Sequence, residues 1–158
     1  MLMGYDQAVD DNTTLDIFWG LYEIMGVSLV DMRMWQWLYA HPDATAQQLR
    51  EATLAIAKEV WNTYYYPVLG EQDSPILACY SHMVNAPMYL PNYPFGHIVE
   101  FQLEEHLAQF PTKQAFADEI MRIYKLGKLT PNQWMQQAVG AKVSTTPILN
   151  AVEAILKK

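Results

Sequence analysis

Helix start signals recur along nearly the whole of this chain, and they are what most restricts its fold. Thr45 and Gln48 stand in capping-box spacing, Ser74 precedes Pro75, and Thr112 heads KQAFADEIMRIYKLG. Thr130–Pro131 and Thr146–Pro147 each open a further apolar segment. A Ser or Thr hydroxyl accepts from the free N–H groups of a first helical turn, and Pro is tolerated there because its missing N–H would be unpaired anyway. Gly127 and Gly140 supply stops. No paired strand signal and no internal repeat accompanies them, so the expected fold class is all-α, with about eight helices.

Between these signals, apolar residues return every three to four positions. Leu15, Phe18, Trp19 and Tyr22, then Leu29, Val30, Met34, Trp37 and Leu38, predict helices over 13–25 and 27–40, parted by Gly26. Leu49, Ala52, Ile56, Val60 and Tyr64 predict one apolar stripe. Ser74–Pro75 predicts a helix through DSPILACYSHMV, with His82 near its C-terminal end. Pro87, Pro91 and Pro94 exclude regular helix up to about residue 93. Phe95, Ile98, Val99, Leu103 and Leu107 then carry a helix to about residue 109.

The length of 158 residues suits a single helical domain over 1–158, with 1–12 as a poorly ordered lead-in. A hydrophobic share of 51% against 17% charged supports a sizeable core and excludes a disordered chain. Five Trp, ten Tyr and five Phe exceed what a core of this size needs, so some should line a groove or an interface. The net charge is −7, and no Lys/Arg stripe interrupts it. That argues against nucleic acid and against an anionic membrane surface as partners. No apolar run reaches the length of a membrane span, and MLMGYDQAVDDN lacks the regions of a signal peptide. The expectation is a soluble chain whose compartment is left open. Cys79 is the single cysteine, so an intrachain disulfide and a Cys-based zinc site are excluded, and a buried thiol is expected.

The chemistry candidates lie in YSHMVNAPMYLPNYPFGHIVEFQLEEHL, residues 80–107. His82, Tyr89 and Tyr93 can each donate a hydrogen bond to an oxyanion while staying protonated, and a Pro-stiffened segment would hold them in place. From spacing alone, a stiff loop whose hydroxyls satisfy backbone groups explains them more simply. His97, Glu100 and Glu104 share a helix face, but carboxylates interleaved with His usually form a solvated stripe. Ser81 adjoins His82, yet neighbours on a helix point apart. No G-x-S-x-G elbow, phosphate loop or H-E-x-x-H is present. Trp61 with TYYYP forms an aromatic cluster suited to core packing or to lining a peptide groove.

The run SHMVNAPMYLPNYPFGHIVEFQLEEHL resembles the C-terminal part of the gluzincin metallopeptidases. These include the angiotensin-converting-enzyme, thimet-oligopeptidase/oligoendopeptidase and carboxypeptidase-Taq families. His82, then Tyr89-Leu90-Pro91-Asn92-Tyr93 and Gly96, is similar to the carboxypeptidase-Taq order of His, loop, Tyr-Phe-Pro-x-Tyr and small-residue helix start. His82, Pro87, Tyr89 and Phe101-Gln102 echo the converting enzyme. SLVDMRMWQWLYAHPDAT resembles its Leu-Val-Asp helix with paired Trp, and MRIYKLGKLTPNQWMQQAVG resembles the oligoendopeptidase end. The likeness runs from about residue 13 to the end.

The resemblance implies that His82 and Tyr93, with Tyr89 as a second Tyr, hydrogen-bond the substrate and the tetrahedral intermediate across from zinc. Three departures qualify this. The zinc motif and its downstream Glu, which those families carry upstream of the matched region, are missing, and Glu23 does not replace them. The spacing from His82 to the second Tyr is one short of the carboxypeptidase-Taq pattern and one beyond the converting-enzyme pattern, so which Tyr reaches the oxyanion stays open. Tyr80 stands where the converting enzyme has the Lys that anchors a terminal carboxylate.

The expected function is therefore the substrate-binding, transition-state-stabilising half of a zinc peptidase, without hydrolytic activity of its own. No cofactor is expected in this chain, zinc belonging to a full-length parent. The expected partners are a peptide substrate or the missing N-terminal catalytic half, together with a second copy of the chain, because a half-domain exposes apolar surface. The alternative is a non-catalytic helical module that binds a peptide or a protein.

Overall fold

Side-chain capping places three of the helix starts. The structure, a computed structural model, describes residues 11–158. Among them it is all-α: α1 (Asp11–Ala40), α2 (Ala46–Tyr64), α3 (Tyr66–Leu69), α4 (His82–Asn85), α5 (Asn92–Leu107), α6 (Lys113–Tyr124), α7 (Pro131–Val139) and α8 (Thr146–Leu156). A 3-10 turn occupies Ile76–Ala78. The expected lead-in lies outside the described residues as far as residue 10, and Asp11 and Asn12 are already helical.

The Thr45–Gln48 capping box forms at the head of α2: Gln48 N–H donates to Thr45 Oγ1, and Thr45 N–H donates to Gln48 Oε1 at 2.9 Å. Thr112 Oγ1 accepts from Ala115 N–H to open α6, and Gln133 reaches back to Thr130 to open α7. Gly140 ends α7 at a φ of 78°, a conformation that an L side chain adopts only under strain.

Two expectations about helices are corrected. Gly26 does not part the first helix; α1 runs unbroken through it. Its missing side chain serves a close approach instead, because a Cβ there would overlap the Tyr65 ring. The Ser74–Pro75 start gives only a 3-10 turn, and His82 opens the one-turn α4 rather than ending a longer helix. With four residues, α4 has little aligned dipole to act on His82.

The chain divides into two compact units, and the division falls within α1 and within α5. The unit Trp19–Pro94 has a core of Val27, Val30 and Met34 from α1, Ala57, Val60 and Trp61 from α2, then Tyr65, Leu77, Met83 and Leu90. Of the expected α2 stripe, Val60 is buried and Leu49 and Ile56 pack against this core, but Tyr64 is exposed, and Ala57, Trp61 and the following Tyr65 are buried as well. Cys79 is exposed too, against expectation, because the 3-10 turn directs Leu77 inward instead.

The other unit comprises Met1–Phe18 and Phe95–Lys158, described from residue 11 onward. It buries Phe101, Ile123, Met135, Ala138, Ile148 and Val152. The buried Gln102 side chain donates to Lys142 O at 2.9 Å and accepts from Ser144 N–H at 3.0 Å, fixing the segment before α8.

Candidate functional site

All three sequence-predicted site residues lie in the unit Trp19–Pro94, where their rings form a row. The His82 and Tyr89 rings are nearly parallel, with centroids 6.2 Å apart and planes at 13°. Tyr89 meets Tyr93 edge-on at 5.4 Å. His82 also packs beside Tyr80, with ring centroids 5.2 Å apart. Local turns build this arrangement. Tyr89 N–H donates to Ala86 O, closing a turn over Pro87 and Met88, and Asn92 N–H donates to Tyr89 O to lead into α5. Pro94 falls in the first turn of α5, where its lack of an N–H costs nothing.

A hydrogen bond with Tyr89 pushes the Tyr93 phenol above its ordinary value, with a little burial adding, so it stays protonated near neutral pH. Tyr89 and Tyr93 are both about half exposed and can meet a ligand. His82 is half-buried, and its Nδ1 has no hydrogen-bond partner among the described residues.

Tyr80 also lines an open pocket of about 390 Å³ with Trp19, Tyr22, Trp61, Tyr65 and Ile76. The aromatic surplus of the sequence is concentrated here. Tyr22 and Tyr65 stand 4.7 Å apart, and Trp61 stacks on Tyr65 at 5.3 Å and 11°. Tyr65 donates its hydroxyl to Tyr22 O at 2.5 Å, while Tyr22 donates to Tyr64 O at 2.6 Å, tying α1 to the end of α2. Burial pushes the Tyr65 phenol up to about 12, with the Tyr22 and Glu23 charges adding. Among the described residues Glu23 is the one carboxylate in the pocket wall.

His97 is engaged elsewhere, donating from Nδ1 to Glu100 at 2.8 Å, and among the described residues no three His, Cys, Asp or Glu side chains are grouped to hold a metal ion. No helix of the described residues is long and apolar enough to cross a membrane.

Comparison of the chain with family models, with curated proteins and with solved structures finds no match. Sequence reasoning missed Asp31, which is wholly buried beneath the His–Tyr segment. Its signal was an acidic residue inside the apolar SLVDMRMW face of α1.

Proposed function

We propose that this chain is the substrate-facing half of a gluzincin-like peptidase, binding an extended peptide without hydrolysing it alone. The single observation that carries this reading is the His82–Tyr89–Tyr93 row, joined through Tyr80 to an aromatic pocket. Tyr93 donates to Tyr89, which in turn donates to a peptide carbonyl, His82 flanks them, and the pocket accepts an apolar side chain. The row does not suit zinc: it offers one imidazole and two protonated phenols, with no carboxylate or thiolate. In this reading the metal resides in the missing catalytic half.

Titration of a blocked apolar tetrapeptide tests the row. His82→Ala and Tyr93→Phe should each weaken binding about tenfold, the worth of one ordinary hydrogen bond. Unchanged affinity in both variants would remove the row from the binding wall. Chelator-washed protein should hold no stoichiometric zinc and show no peptidase turnover, and near-equimolar zinc would overturn the half-enzyme reading.

The alternative reading is a non-catalytic binding module, and the aromatic character of the pocket favours it. Adding a catalytic half that carries H-E-x-x-H discriminates the two. Peptide turnover on mixing supports the half-enzyme, and binding without turnover supports the module.

A further inference from the structure

The geometry points to Asp31 as the residue that positions the Tyr89–Tyr93 pair, acting through the backbone N–H of Met88. Asp31 is fully buried on α1, among Val27, Val30 and Met34. Its Oδ2 accepts from Met88 N–H at 3.0 Å, across 57 residues of sequence.

The bond falls at a demanding place. Tyr89 N–H to Ala86 O at 3.1 Å closes a four-residue turn, with Pro87 second and Met88 third. Met88 has a φ of 59°. Pro followed by a positive φ is the pattern of a type II turn, whose third residue is ordinarily Gly or Asn. Such a turn leaves the third residue's N–H without a partner inside the turn, and Asp31 supplies one. Asp73, the other described non-Gly residue at positive φ, is of a type that tolerates it, and its N–H is taken by Asn62. Met88 has no such intrinsic tolerance, so the carboxylate holds it there.

What the bond fixes is the site itself. Tyr89 closes the turn, and Leu90, fully buried, plugs the same core that surrounds Asp31. Met83 anchors the other side of the segment. Between these anchors Asp31 sets the direction in which Tyr89 leaves the core, and Tyr93 follows one short turn later. Burial raises the Asp31 carboxyl pKa, and the Met88 N–H and the Trp35 indole oppose that rise. The importance of this geometry for peptide binding rests on the function proposed above, whereas the positioning does not.

The test is amide exchange and ring-to-ring nuclear Overhauser contact in the intact chain. In Asp31→Ala, Met88 N–H should exchange about tenfold faster, the effect of losing one ordinary hydrogen bond, and the Tyr89–Tyr93 ring contact should weaken. Asp31→Asn keeps an acceptor and should preserve both signals. Met88→Gly placed on Asp31→Ala should restore the ring contact, because glycine adopts the turn unaided. If Asp31→Ala leaves both signals unchanged, or if the Val30 and Val60 amides loosen as much as Met88, the positioning role is overturned. Should Asp31→Ala fail to fold, loss of the ring contact in folded Asp31→Asn overturns it as well. The tetrapeptide titration of wild type is read separately: no binding there, with the Asp31 effects present, removes the peptide reading and leaves the positioning intact.

Discussion

Gly26 shows how a local rule can name the right residue for the wrong reason. Glycine weakens a helix by about 1 kcal/mol against alanine, which is why a break was expected there. In the structure the helix tolerates that cost because the bare Cα admits the Tyr65 ring. The usual stabilising effect of Gly→Ala in a helix should therefore reverse. Gly26→Ala is expected to lose about 1–3 kcal/mol, the typical cost of overpacking, as read by urea unfolding. Tyr65→Phe removes the bond to Tyr22 O and should cost about 1 kcal/mol. Its phenol, held up to about 12 against 10.0, favours the neutral form in the folded state. That contribution is complete below pH 10 and is lost as pH rises towards 12. Tyr65→Phe should remove this alkaline component. None of these roles could be read locally, since Gly26 and Tyr65 meet only when α2 packs on α1.

At the scale of the elements, one buried carboxylate and its arginine join α5, α6 and the end of α7. Glu119 accepts from Arg122 Nε at 2.8 Å and from His106 Nε2 at 2.7 Å. Arg122 also donates to Gln137 O and Ala138 O, satisfying the last carbonyls of α7. The Arg122 guanidinium, with help from His106 and against burial, holds the Glu119 carboxyl at about 2 in place of 4.5. A depressed folded-state pKa stabilises the fold above 4.5, and the contribution is lost as pH falls through about 2. Glu119→Gln should therefore lower stability at pH 7 and flatten its fall between those two values, as read by denaturant melts at several pH values. The caps that start α2, α6 and α7 were legible in the sequence because each depends on residues three apart. The one-turn α3 and α4 and the 3-10 turn were not, because they take their form from Tyr65, Leu77 and Met83 docking in the core.

For the molecule as a whole, exposed apolar side chains raise the question of association. Tyr66, Val68 and Leu69 of α3 are exposed, and so is Ile76 close by in sequence. Patches of this kind mark interaction surfaces. Self-association through this face is expected, weakening on dilution in sedimentation velocity, and Val68→Lys should shift the population to monomer. A monomer at every concentration would count against it. The all-α class and the caps of α2, α6 and α7 followed from the sequence alone, because helix periodicity and capping are local properties. Only the tertiary structure decided that Gly26 is a notch for Tyr65, that the aromatic surplus gathers beside Tyr80, and that a buried carboxylate on α1 meets Met88. Each of these depends on residues tens of positions apart, and packing, which no local pattern encodes, chooses which of them meet.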